Sequence, residues 1–177
     1  VLIHSDNKEG GYLATRELLQ KGCRRVLLLR DLRYASTIRN RKAGYLQALE
    51  EFGVPYDETL EISAFPEYED AKKVLERLLK LSGCFFDGIF ATNDMMALAC
   101  VHVLMGAGYR IPEDVKIVGF DNISLSEFGD PPLTTITQNT KEMALCAGEA
   151  LLNMILHGEV KKERTVLPVS LEVRKST

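Results

Sequence analysis

This chain is most informative at first through what it lacks. It has no excess of positive charge: 22 Lys and Arg stand against 25 Asp and Glu, a formal net of −3. Nucleic-acid binding by these residues alone is therefore disfavoured. No apolar run approaches the roughly 20 residues of a membrane span, and no signal-peptide pattern is present. The four cysteines, Cys23, Cys84, Cys100 and Cys146, are widely spaced without a CxxC, and His4, His102 and His157 are scattered. Neither a disulfide framework nor a metal site follows from such spacing, and buried thiols in a reducing cytoplasm are expected. P-loop, GxGxxG, GxSxG and HExxH motifs are absent, and Ser124 and Ser126 have no His placed by a motif to activate them. Internal repeats, low-complexity tracts and long linkers are missing too. The chain opens on Val1-Leu2-Ile3 without a Met, which leads us to expect further sequence upstream.

What is present is alternation. Short apolar runs fit buried strands at Val1–His4, Arg25–Arg30, Thr59–Ser63, Asp87–Thr92 and Val115–Phe120. Between them, apolar residues recur at helical spacing over Gly11–Lys21, about Arg39–Phe52, Pro66–Leu81 and Asn93–Ala107. The last of these core strands leads into a loop closed by Pro131-Pro132, a short strand at Thr134–Thr137 and a helix over Lys141–His157. That helix carries Met143, Ala147, Leu151 and Ile155 along one stripe, and strands at Val166–Pro168 and Ser170–Arg174 close the chain. Four β-then-α units spaced by about 30 residues predict an α/β fold, a doubly wound parallel sheet with helices on both faces.

In such a sheet, ligands bind outside the carboxyl ends of the strands. The residues delivered there are Thr37 and Arg41 after the second strand, Phe65 after the third, Asn93 and Asp94 after the fourth, and Asp121 after the fifth. An aromatic face with a guanidinium, an amide and a carboxylate suits a small polar ligand: a ring packs on the flat face, and charged groups bond its hydroxyls or amines. Each residue also has a plainer reading. Asn93 and Asp94 can cap a helix, Asp121 can open a turn, and Phe65 can be core. Arg41 near a helix start is less easily explained that way, because positive charge there is unfavourable.

Several stretches in order along the chain resemble one family. They include Asp6-Asn7 with Gly10-Gly11, Arg41-Lys42-Ala43-Gly44-Tyr45, Asn93-Asp94-Met95-Met96-Ala97-Leu98, Val118-Gly119-Phe120-Asp121, Pro131-Pro132-Leu133-Thr134-Thr135-Ile136 with Gln138, and Leu167-Pro168 with Arg174. The chain resembles the effector-binding core of the lactose-repressor/galactose-repressor transcription regulators. One departure is Cys23, where family members usually carry His. The resemblance implies a periplasmic-binding-protein-like type I fold of two lobes with the ligand between them, the N-terminal lobe being incomplete here. It implies residues 1–22 and 132–160 in the N-terminal lobe, with 23–131 and 161–177 in the C-terminal one, and Pro131-Pro132 at a crossing. It also implies an exposed edge at the first strand, prone to strand exchange or dimerisation.

Functionally, the resemblance implies a cytoplasmic, non-enzymatic sensor module. Its partners would be a small effector (a sugar, sugar phosphate or purine), a second copy in a homodimer, and DNA only through a headpiece outside this chain. Arg41, Asn93 and Asp121 carry the ligand contacts over, with Thr37 and Phe65 matched less closely by their loops. No cofactor, metal or catalytic residue is expected. Two alternatives are a periplasmic sugar-binding protein of the same fold and an α/β enzyme using Asp121 or Asp94.

Overall fold

The computed structural model describes residues 1–33, 35–158 and 163–177. The chain runs β1 (Leu2–Ser5), α1 (Asn7–Gln20), β2 (Val26–Asp31), α2 (Ser36–Glu51), β3 (Glu61–Ala64), α3 (Tyr68–Ser82), β4 (Gly88–Ala91) and α4 (Asp94–Gly106). It continues β5 (Lys116–Asp121), α5 (Ser124–Phe128), β6 (Thr134–Gln138), α6 (Thr140–His157), β7 (Arg164–Leu167) and β8 (Val169–Glu172). Every strand and long helix expected from the periodicity is found. The short α5 is an addition, since five residues are too few for a helical period to declare itself.

Six strands form one sheet in the order β3-β2-β4-β5-β6-β8, parallel throughout except for the antiparallel β6–β8 pair. Alternate side chains of the central strands feed two cores, one on each face. Leu27, Leu29, Ile89, Ala91 and Ile117 pack with α3 and α4. Val26, Leu28, Phe90, Val118 and Phe120 pack with α1 and α2. Helices α1 and α2 touch through their backbones: a Cβ on Gly11 would collide with the Arg41 carbonyl, and one on Gly44 with the Lys8 carbonyl. That contact sets Arg41 directly over the sheet.

The division of the chain between lobes differs from the expectation. Helix α1 packs on the six-stranded sheet through Ala14, Leu18 and Leu19, so the chain crosses at Asp6 and not after residue 22. Pro131-Pro132 also lies within this larger lobe, because Leu133 is core and Thr134–Gln138 pairs with β5. The second crossing comes at Asn139, between β6 and α6. The expected break between residues 160 and 161 lies outside the described residues. The third crossing is at Pro168, since β7 pairs with β1 in a separate two-stranded parallel sheet while β8 joins the large one.

Helix α6 packs near β1 and buries none of its residues; along its apolar stripe Met143 is partly covered and Ala147, Leu151 and Ile155 are exposed. On α2 the buried face is Ile38, Arg41, Gly44, Tyr45, Ala48 and Leu49, while Ala43 and Leu46 are only partly covered.

Candidate functional site

The carboxyl ends of β2, β4 and β5 meet the start of α2 at one edge. Arg41 is its centre: a guanidinium only 7% exposed, in the second turn of α2. Its Nε donates to Asn7 Oδ1 at 2.8 Å, and its Nη1 donates to the Thr92 carbonyl. Its Nη2 lies 3.7 Å from Asp121 Oδ1, and its guanidinium carbon sits 3.5 Å above the Phe120 ring. A buried cation held by two acceptors, a carboxylate and an aromatic face has its desolvation largely offset. Burial pulls its pKa down to about 10, against the opposing field of Asp121, Asp94 and Asp31, so it stays charged at neutral pH.

Asp121 ends β5 in an unusual backbone state, with φ +116°, and Asn122 follows at φ +52°. L-residues adopt such conformations rarely, and they persist where surrounding contacts hold them. The contacts here are specific. Gln138 Nε2 donates to Asp121 Oδ1 at 2.7 Å, Asn122 Nδ2 donates to Thr137 Oγ1 at 2.9 Å, and Arg174 Nη2 donates to Asn122 Oδ1 at 2.8 Å. Burial pushes the Asp121 carboxyl up to about 6, with Arg41 opposing that rise and Asp94 adding to it.

These residues close a ring across two of the crossings. Ser5 Oγ donates to Gln138 Oε1 at 2.7 Å, Gln138 reaches Asp121, Asp121 faces Arg41, and Arg41 holds Asn7. Asn7 Nδ2 then donates back to the Ser5 carbonyl at 2.9 Å. Sequence reasoning named Arg41 and Asp121 but missed Asn7, Gln138 and Thr92 as their partners. The available signal was position: Asn7 and Gln138 each lie beside a point where the chain changes sheets.

The other expected site residues are placed less centrally. Asn93 is the N-cap of α4, its Oδ1 accepting from Met96 N at 2.8 Å, and its Nδ2 donates to the Pro66 carbonyl at 3.2 Å. Both ends of its amide are thus engaged, and its proximity to Arg41 comes through Thr92, the preceding residue. Phe65 follows β3 and is half exposed, not core, next to the Pro66 that Asn93 contacts. Thr37 is in the first turn of α2, one turn before Arg41 and so on the same helix face. The structure therefore joins Arg41 and Asp121 directly, whereas Asn93, Phe65 and Thr37 follow the ends of neighbouring strands on the same sheet edge.

Asp94 is not available for chemistry. Its carboxylate is buried and accepts from Ile123 N at 2.9 Å, Ser126 Oγ at 2.7 Å and Thr135 Oγ1 at 2.5 Å. A Cβ on Gly119 would strike it, so that glycine makes room for a structural acid. Among the described residues no group of three or more His, Cys, Asp or Glu side chains could hold a metal ion, and no helix is long and apolar enough to cross a membrane.

A doubly wound sheet with its polar cluster at the carboxyl edge, and a chain crossing three times to a second sheet, defines a periplasmic-binding-protein-like domain. Residues 15–177 match the family of that description. The regulator DegA of Bacillus subtilis is 36% identical over 176 residues, covering 99% of this chain and 52% of its own length. A solved structure described as a transcriptional regulator CelR–cellobiose complex superposes with a TM-score of 0.92 at 33% identity, over 99% of this chain and 53% of that one. A LacI-family regulator from Enterococcus faecium with bound ribose gives 0.91 at 32% identity, over 99% and 64%. The chain belongs to the LacI family of transcriptional regulators, as its periplasmic-binding-protein-like domain, and the matched proteins are regulators, not enzymes. It spans about half the length of the curated relatives it matches.

Proposed function

We propose that this chain is the effector-sensing part of a bacterial DNA-binding repressor or regulator, and that its effector is a sugar or sugar phosphate. The observation that carries this reading is the pairing of buried Arg41 with partly buried Asp121 at the sheet edge, on residues that also bond across the crossings. Arg41 offers only donors, whereas Asp121 accepts when ionised and can donate when protonated, which suits vicinal hydroxyls. Phe65 supplies a flat apolar face for the ring, and Asn93 and Thr37 complete the edge. Relatives solved with cellobiose and with ribose favour a sugar over a purine.

An effector acts on DNA affinity only if it binds one lobe arrangement better than another. The Ser5–Gln138–Asp121 bonds give it a route, because they tie the ligand edge to two chain crossings. The working protein is a homodimer in the cytoplasm, its DNA contacts made by a headpiece outside this chain. The exposed Met95 and Met105 of α4, with Leu125 and Phe128 of α5, supply an apolar face for the second copy.

Calorimetry of the protein carrying this chain against a panel of sugars, sugar phosphates and nucleobases tests the assignment. A sugar should bind, and Arg41→Ala and Asp121→Ala should abolish binding while circular dichroism reports an intact fold. Unchanged affinity in both folded variants would remove these residues from the site.

A further inference from the structure

The carboxyl end of β5 owes its shape to residues from the far end of the chain. Asp121 and Asn122 are successive non-glycine residues at positive φ, +116° and +52°. Such a pair costs conformational energy that the surrounding contacts have to offset. Asn122 is where those contacts attach. Its Nδ2 donates to Thr137 Oγ1 at 2.9 Å, and its Oδ1 accepts from Arg174 Nη2 at 2.8 Å. The same guanidinium donates through Nη1 to the Leu133 carbonyl at 2.8 Å. Arg174 therefore bridges the turn after β5 to the residue before β6, which a planar fork of donors can do and a single ammonium cannot.

The tail that carries Arg174 is held without that side chain. Arg174 N donates to Thr134 Oγ1 at 2.9 Å, and Lys175 N donates to the Pro132 carbonyl at 3.0 Å. Ser176 is fully buried, its Oγ donating to the Ile117 carbonyl at 2.6 Å and its own carbonyl accepting from Ile117 N at 2.8 Å. Truncating the guanidinium thus leaves the tail in place. What the guanidinium adds is the orientation of one amide. It can only donate, so the Asn122 oxygen faces it and the Asn122 nitrogen faces Thr137. An amide fixed at both ends holds the positive-φ turn, and with it the direction in which Asp121 leaves the sheet toward Arg41 and Gln138.

We propose that Arg174 is a positioning residue for the effector edge: by fixing Asn122 it aims the Asp121 carboxylate at the ligand. The proposal rests on Asp121 being an effector contact, whereas the aiming of Asp121 is measurable with no ligand present.

Carbon-13 NMR titration of the Asp121 carboxyl in the protein carrying this chain, with calorimetry against ribose and cellobiose, tests this. In Arg174→Ala the carboxyl leaves its fixed, partly buried position, so its midpoint should fall from about 6 toward 3.8. Affinity for whichever of the two sugars binds the native protein should weaken about tenfold or more. Arg174→Lys should behave alike, and serves if the alanine variant does not fold. Asn122→Gly separates positioning from a general structural role, because glycine takes a positive φ without a held amide. In that background Arg174→Ala should move neither the midpoint nor the affinity further. An unmoved midpoint or unaltered affinity in a folded Arg174 variant, or equal losses with and without Asn122→Gly, would each overturn the proposal. With neither sugar bound by the native protein the midpoints still decide: a fall supports the role of Arg174 and an unmoved value overturns it, so failure of the effector reading stays distinct.

Discussion

The six-stranded lobe and the small β1–β7–α6 unit are built from similarly apolar sequence, yet only the first encloses it. In the large lobe Leu27, Leu28, Leu29, Ile89, Phe90 and Ile117 are wholly buried between helical layers. In α6, Leu145, Leu151, Leu152, Met154, Ile155 and Leu156 are between 44% and 70% exposed. Two strands and one helix make a single layer pair too narrow to cover such a stripe, and a two-stranded sheet is marginal by itself. Apolar periodicity predicts a helix with a face to bury; whether the covering surface lies in the same chain is a separate matter.

The largest effects should separate the two regions most cleanly. Leu75→Ala, at a fully buried site on α3, should cost about 2–5 kcal/mol in urea denaturation, since it removes contacts and leaves a cavity. A cost under about 1 kcal/mol would mean that the large lobe is loosely packed. Gly44→Ala comes next. In an ordinary helix this change helps by up to about 1 kcal/mol, but here the new methyl meets the α1 backbone, and a loss of about 1–3 kcal/mol is expected. A stabilised variant would show that the α1–α2 contact is wider than described.

A pH titration sharpens the account of the large lobe's edge. The Asp121 carboxyl is raised from 3.8 to about 6, chiefly by burial, with Arg41 opposing. A raised acid favours the fold fully below pH 3.8 and loses that contribution as pH climbs through about 6. Asp121→Asn should therefore flatten a decline in stability across this window, by a small amount, because the carboxylate is about a third exposed at 32%. Identical pH profiles for the two proteins would contradict the shift. Smallest of all is Leu151→Ala on α6, expected to change stability by no more than about 0.5 kcal/mol at a position 57% exposed. A loss comparable with Leu75→Ala would mean that α6 is covered in solution.

The sequence made the large lobe legible because its strands are continuous apolar runs bounded by polar turns, and its helices repeat on one face. The lobe boundaries were not, because the crossings at Asp6, Asn139 and Pro168 are single residues without a composition change. Pro131-Pro132 looked like a junction, yet it only turns the chain within one sheet. At the site, Arg41 was recognisable because a cation near a helix start needs a reason. Its partners Asn7 and Gln138 lie far from it along the chain and belong to no local pattern. Asn93 shows that a cap and a ligand position can coincide in one residue type, and only geometry reveals which bonds the amide already makes.

Native-state hydrogen exchange resolved along the backbone tests the division most directly. Amides of β2, β4, β5 and α4, the elements beneath the Arg41–Asp121 edge, should exchange only through global unfolding, while those of β1, β7 and α6 open at distinctly lower free energy. Uniform protection across both regions, or earlier opening of the six-stranded lobe, would contradict it.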